Sequence, residues 1–250
     1  MLPVDSPKWA ELECDLGGAQ PIADGLRLAY EIVKEADGDP AEIRRGVEIA
    51  EGLIGNLYHQ QTTYSGTAAA IPHLVHFSRL AELGTRTYIF VMIAFMDWDQ
   101  AENHAPDELR QAYTAAIFEV EEKVIGILRT KKLTSEQLDN LLVAISLIQR
   151  KCLYPIRNSG SGSIDCPGCE TELDVDEGEQ GLAIYWKDKT VPIKPTSDLA
   201  TEIERERHND LRSFYHLAVE GDHVQFLEWL KQFVGTFTCP NCDSEQQIPY

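Results

Sequence analysis

The sequence predicts a mainly α-helical protein with a small β, zinc-ribbon-like module set into its C-terminal part. Three observations predict this. Segments with helical spacing of apolar residues fill roughly the first 150 residues. A Ser-Gly-rich stretch over 159–163 then marks a change of composition. Beyond it, the pattern Cys-Pro-x-Cys occurs twice, ending at Cys169 and at Cys242.

The first helix is expected over about 20–36, where Ile22, Leu26, Ala29, Val33 and Ala36 step by four and three along one face. The second opens at Asp39-Pro40-Ala41-Glu42. Asp39 suits the cap, Pro40 the first helical position, and Glu42 the carboxylate place of a capping box. Its stripe is Ile43, Val47, Ala50, Ile54 and Leu57. Gly46, Gly52 and Gly55 weaken it and leave room for a neighbouring helix. A polar, aromatic loop covers 58–66. A third helix follows over about 67–83, which requires Pro72 to lie in its first turn.

The fourth helix, about 85–97, is apolar nearly all round and reads as buried. The fifth covers about 106–129 with Leu109, Tyr113, Ile117, Val120, Val124 and Ile127 on one face. The sixth starts at Thr134, with Gln137 completing a capping box, and carries Leu138, Leu141, Leu142, Ile145 and Ile148. Consecutive amphipathic helices with short connections and no strand signals suit either a bundle or a solenoid of stacked helix pairs.

The domain boundary is therefore placed at 158. The second part, 159–250, begins with the Ser-Gly linker and an acidic run, Glu170 to Glu179. Leu182–Trp186 reads as a strand. The zinc-ribbon-like module covers about 164–195 and 237–250 and brackets a helix pair at about 197–235. Within that pair Gly221 is a terminator, Asp222 a cap, and Gly235 the final stop.

Two Cys-x-x-Cys knuckles let four sulfurs meet at one tetrahedral centre. Cys166, Cys169, Cys239 and Cys242 are accordingly the expected ligands of one structural Zn2+. Residues 170–238 separate the pairs, far more than the about 15 to 20 of an uninterrupted ribbon. Redox dithiols, disulfides and free thiols are the alternatives. No βαβ pattern surrounds either pair, and nothing marks the chain as secreted. Four thiolates leave no open position, so the site is structural, not catalytic. Glu170 and Asp243 stand where knuckles often carry Gly, which leaves the turn geometry in question. Cys14 and Cys152 read as buried small hydrophobes.

No phosphate-binding glycine loop, nucleophile elbow or His-Glu-x-x-His motif is present, and the chain reads as non-enzymatic. His73 and His76 have a spacing that a metal can use, but no third ligand accompanies them. Asp97, Asp99 and Glu102 cluster with Asp107 and Glu108 as a candidate recognition patch, or as a solvated connection. The loop residues Tyr58, His59, Gln60, Gln61 and Tyr64 are the kind that make contact surfaces, or that cap helix ends internally.

A net charge of −19 argues against nucleic acid and anionic membranes and in favour of a basic protein partner. The longest apolar run, Tyr88–Met96, is too short to span a bilayer, and the reading is a soluble, cytoplasmic protein.

The stretch 53–74, with its Gly55-Asn56-Leu57-Tyr58-His59-Gln60 run and Ala70-Ile71-Pro72, resembles bacterial HEAT-repeat-like proteins. Trp9-Ala10-Glu11-Leu12 and Gly17-Gly18-Ala19 look like that family's opening, and Phe233 to Cys242 like the way some members close. Gln61 departs from the pattern, where the family often has Gly. The resemblance covers roughly 9–80 and 210–245 and implies a HEAT-like α-solenoid that binds and does not catalyse. Such small acidic helical-repeat proteins suit an immunity protein against a cognate bacterial toxin. The alternatives are a general scaffold or adaptor and, after it, an enzyme with an unrecognised site.

Overall fold

The structure is a computed structural model and describes all residues except 16, 131, 152–160, 179–180, 206–208 and 249–250; for 161, 177–178 and 209–210 only the backbone is described. The chain is mainly helical, with small antiparallel sheets concentrated towards the C-terminus. It divides into two units, Met1–Gly126 with Leu133–Arg150, and Ile127–Lys132 with Lys151–Tyr250. Among the described residues no helix is long and apolar enough to cross a membrane.

In the first unit the periodic segments become α1 (Gln20–Glu35), α2 (Pro40–Gly52), α3 (Ile54–Leu57), α4 (Ser65–Leu80), α5 (Leu83–Trp98), α6 (Asp107–Thr130, of which 127–130 belong to the second unit) and α7 (Ser135–Ile148). They form where expected because their stripes are buried. Ile22, Leu26 and Ala29 on α1, Val47 and Ala50 on α2, and Leu141 and Ile145 on α7 are all within the core. Each fully buried Leu or Ile contributes roughly 1.5–3 kcal/mol. The main helix contacts are α1 on α2, α2 on α4, α4 on α5, and α5 on α7. Asp39 Oδ1 accepts from Ala41 N at 2.9 Å, and Thr134 and Gln137 form the expected reciprocal cap. Glu42 instead pairs with Arg45.

Three details differ from the sequence reading. The second helix breaks after Gly52, where Leu53 N turns to Ala50 O in a tighter i→i−3 bond. The α4 helix begins at Ser65, so Pro72 lies two turns inside it and leaves Ala68 O without its helical donor. Burial of α4 on nearly every side, including Ile71, Leu74 and Phe77, holds the helix through that defect. Finally, Gly17–Gly18 is β2, paired with β1 (Glu13–Cys14), in a part of the chain without strand signals. Cys14 is buried, as expected, and its thiol donates to Gly18 O at 3.3 Å. Of the three glycines in and after α2, only Gly46 meets a neighbour closely, with Ala29 O of α1 3.0 Å from where a Cβ would stand.

The loop after α3 is anchored at both ends and exposed at its tip. Thr67 Oγ1, buried, accepts from Tyr64 N at 3.0 Å and donates to Leu57 O at 2.6 Å. Gln60 (φ 50°) and Gln61 (φ 59°) form the centre of a two-residue turn closed by Thr62 N to His59 O at 3.0 Å. Positive φ at both positions is what a type I′ turn requires, so Gln61 adopts the conformation that Gly would adopt without strain.

His73 of α4 is buried and uses both ring nitrogens internally. Its Nε2 donates to Leu2 O at 2.8 Å, which makes Nδ1 the acceptor of the Tyr30 hydroxyl at 3.0 Å. Burial favours the neutral ring and lowers its pKa to about 4. His76 packs on Tyr30 and Phe77.

The second unit carries a four-stranded antiparallel meander, β3 (Ser161–Asp165), β4 (Glu172–Gly178), β5 (Gly181–Trp186) and β6 (Lys189–Pro192), and a separate hairpin, β7 (Thr236–Thr238) with β8 (Glu245–Gln247). Among the described residues, α8 (Leu199–Ile203), α9 (Asn209–Glu220) and α10 (Val224–Phe233) stand between. The expected linker is therefore partly strand: Ser163 pairs with Asp174. The acidic run hides a strand of period two, in which Leu173 and Val175 are buried and Glu172 and Asp174 face out. Asp222 is not a cap. It takes φ 55°, and His223 occupies the N-cap position of α10. His223 Nε2 donates to Leu128 O at 2.7 Å, and any Cβ at Gly221 would overlap that same carbonyl. The predicted Cys152 lies outside the described residues.

Two expectations follow. Since the unfolded chain binds a proton at His73 that the folded chain refuses, its contribution is complete above about pH 6.5 and is lost as pH falls towards about 4. Chemical denaturation of the wild type and of His73→Gln at pH 7 and pH 4 should show up to about 3 kcal/mol more loss in the wild type. Equal losses would show that His73 is not a buried neutral ring. At the loop tip, Gln60→Asn with Gln61→Gly should raise stability by about 1 kcal/mol, read as an increase in Tm.

Candidate metal centre

Both Cys-Pro-x-Cys segments are turns between antiparallel strands, the first joining β3 to β4 and the second β7 to β8. Their backbones repeat one another. Cys166 N donates to Thr171 O at 2.9 Å and Glu170 N to Cys166 O at 2.8 Å; Cys239 N donates to Ser244 O at 2.9 Å and Asp243 N to Cys239 O at 2.9 Å. Glu170 (φ 57°) and Asp243 (φ 56°) both take the left-handed conformation. The absence of Gly at these places thus leaves the knuckle geometry regular, with strain confined to one residue each.

The two turns bring four sulfur atoms within 4.8 Å of one another. Cys166 Sγ is 3.9 Å from Cys242 Sγ, and Cys169 Sγ is 3.8 Å from Cys239 Sγ. A tetrahedral ion with bonds of about 2.3 Å to sulfur needs neighbouring sulfurs about 3.8 Å apart. A disulfide needs about 2.05 Å. The spacing fits a shared thiophilic ion, and the all-sulfur donor set excludes hard cations. Cys166 and Cys239 are buried, Cys169 is partly exposed and Cys242 exposed.

The electrostatics of the four thiols are divided. Burial pushes the Cys166 thiol up to about 12. Hydrogen bonds from Thr171 and Asn241 pull Cys169 down to about 6, and those from Ser244 pull Cys242 down. A dication at the centre supplies the charge that a buried thiolate at Cys166 lacks. Lys189 Nζ donates to Pro240 O at 2.6 Å and ties β6 to the second knuckle. Lys194 and Thr236 exchange backbone bonds of 2.7 and 3.0 Å, which tie the segment after β6 to β7.

Thr171, Asn241, Ser244 and Gln246 were not singled out in the sequence. The signal was present. The repeated motif is longer than Cys-Pro-x-Cys, since an acid and a hydroxyl residue follow each time: Glu170-Thr171 and Asp243-Ser244.

The candidate contact residues are dispersed in role. Asp97 belongs to α5 and is buried; it accepts from the Tyr113 hydroxyl at 2.6 Å and lies 3.3 Å from Arg150. Desolvation raises its pKa, while Tyr113 and Arg150 oppose that shift. Asp99 accepts from the Tyr58 hydroxyl through Oδ2, and its backbone carbonyl from Thr63 Oγ1 at 3.1 Å. Tyr64 donates to Asp15 at 3.3 Å, and His59 Nδ1 lies 3.4 Å from the same carboxylate oxygen. Gln60, Gln61 and Glu102 are exposed. Asp107 and Glu108 are exposed too and pair with Arg110 and Lys8. The acidic cluster of the sequence thus starts with a buried Asp97 and a half-buried Asp99, followed by an exposed set.

Comparison of the chain with protein-family models, with curated proteins and with solved structures gives no match.

Changing Cys166 and Cys239 together to Ser should abolish metal binding and cost the second unit on the order of 5 kcal/mol or more, enough to unfold it at 25 °C. Limited proteolysis read by mass spectrometry checks this, with cuts expected inside 160–250. An uncut double mutant would mean that the sulfurs do not hold this unit together.

Proposed function

We propose that this chain is a non-enzymatic, HEAT-like α-solenoid protein whose C-terminal part holds one structural Zn2+, and that it acts in the cytoplasm as an immunity protein, binding and neutralising a basic cognate toxin. The carrying observation is the net charge of −19, with carboxylates such as Glu102, Asp107 and Glu108 exposed. An acidic surface speeds and selects association with a basic partner. The stepwise packing of α1 on α2, α2 on α4 and α4 on α5 supports the solenoid reading. Two buried groups of types that commonly do acid–base chemistry are committed internally: both nitrogens of His73 and both carboxylate oxygens of Asp97 have partners. That supports a binding role. Four thiolates at tetrahedral spacing favour zinc and leave no ligand position free for catalysis.

A second reading, a general scaffold for peptides, is favoured by one feature. Phe118 of α6 is 59% exposed and lines a shallow groove of about 600 Å3 with Glu102, Gln111 and Thr114. An exposed aromatic in a polar-rimmed groove suits an anchor for a short segment.

Affinity capture from the native host, followed by mass spectrometry and stopped-flow association, separates the two. The immunity reading expects one tightly held basic protein whose on-rate falls about tenfold or more between low and high salt. Several weak partners, with binding lost in Phe118→Ala and an on-rate indifferent to salt, would favour the scaffold instead.

A further inference from the structure

The two solvent-facing sulfurs of the cluster have the same surroundings. Behind Cys242 stands Ser244, with Oγ 2.9 Å from Sγ. The same Oγ accepts from Gln246 Nε2 at 2.7 Å. Behind Cys169 stands Thr171, with Oγ1 3.3 Å from Sγ; that oxygen accepts from Asn241 Nδ2 at 2.8 Å, and the same Nδ2 also lies 3.5 Å from Sγ itself. A metal-bound thiolate has no proton to give, so each hydroxyl must be the donor to its sulfur. The amide behind it orients the hydroxyl, because it occupies a lone pair and leaves the hydrogen directed at sulfur. Both relays also cross between knuckles. Asn241 belongs to the second knuckle and Thr171 follows the first. Gln246 lies so close to Gly168 of the first knuckle that a Cβ there would come within 2.8 Å of its Nε2. At the buried Cys166, Sγ accepts instead from a backbone donor, Gly168 N at 3.4 Å.

We propose that Gln246–Ser244–Cys242 and Asn241–Thr171–Cys169 form two amide–hydroxyl–thiolate relays that control how firmly the cluster keeps its metal. This rests on the reading that the four cysteines bind zinc. The reason is positional. Water and competing chelators reach the centre through Cys169 and Cys242, so dissociation begins at these two sulfurs. A hydrogen bond to each thiolate stabilises its charge and fixes its lone pair towards the ion. Ser244 and Thr171 are positioning residues: they touch the ligands, not the metal. Partners of this kind typically account for about 10- to 100-fold in metal affinity.

The test uses the full chain loaded with one Zn2+. Transfer of zinc to a chromogenic chelator is timed for the wild type, Ser244→Ala, Thr171→Val, the double variant, and the conservative Ser244→Thr and Thr171→Ser. Expected are one zinc per chain throughout, transfer about tenfold faster in each single variant and about 100-fold faster in the double, and near wild-type rates in the conservative pair. Cobalt(II)-loaded protein gives a second readout. The sulfur-to-cobalt charge-transfer band should move to lower energy in Ser244→Ala and Thr171→Val, because a thiolate without its donor releases electron density more readily. A double variant with wild-type transfer rate and an unmoved band overturns the relays while leaving the metal reading intact. A wild type that retains no zinc overturns both.

Discussion

Four sulfur atoms lie within 4.8 Å of one another, two of them shielded from water. That arrangement is the constraint on which the second unit depends. Two turns far apart in sequence meet there, and the strands that carry the second, β7 and β8, have only three residues each. Short strands alone make a marginal hydrophobic core. As free thiols, the four groups contribute little to holding the turns together, and as thiolates without a cation they repel. Only an ion at the centre turns this proximity into stabilisation, since the energy of binding it is folding energy. The repeated backbone of the two knuckles follows from that demand. Each presents two sulfurs from one tight turn, and each accepts left-handed backbone at a non-glycine residue, Glu170 or Asp243, to do so.

The helical part of the fold was legible because its cores are regular stripes. Every long periodic segment of the first 150 residues became a helix, and Asp39 and Thr134 cap as their residue types require. What the stripes could not reveal were their interruptions. Leu53 breaks the second helix through one misdirected backbone bond, and Pro72 is carried inside α4 by surrounding burial; tertiary packing overrides propensity in both places. The small strands were harder to read. β4 sits within an acidic run whose outward faces mask Leu173 and Val175, and β3 begins in what composition marks as linker.

The candidate site was legible in part. Cysteine spacing alone identified the four sulfurs. Their hydrogen-bonding neighbours follow the motif by two residues and needed the structure to show that Thr171 and Ser244 face sulfur. Composition could not divide the acidic patch, because neighbours in sequence have opposite surroundings. Asp97 turns into the core towards Tyr113 and Arg150, while Glu102 turns out. Loop 58–66 also has a split character: Thr63 is buried and Tyr58 half-buried against Asp99, while Gln60 and Gln61 are exposed. A charge count predicts a partner's sign, but only burial tells which carboxylates remain free to meet it.

The most direct test of the central claim is X-ray absorption at the zinc edge on the intact, metal-loaded chain. Four sulfur neighbours at about 2.3 Å, with no nitrogen or oxygen in the same shell, is the result this account predicts. A coordination shell of nitrogen and oxygen, or no zinc retained by the folded protein, would contradict it.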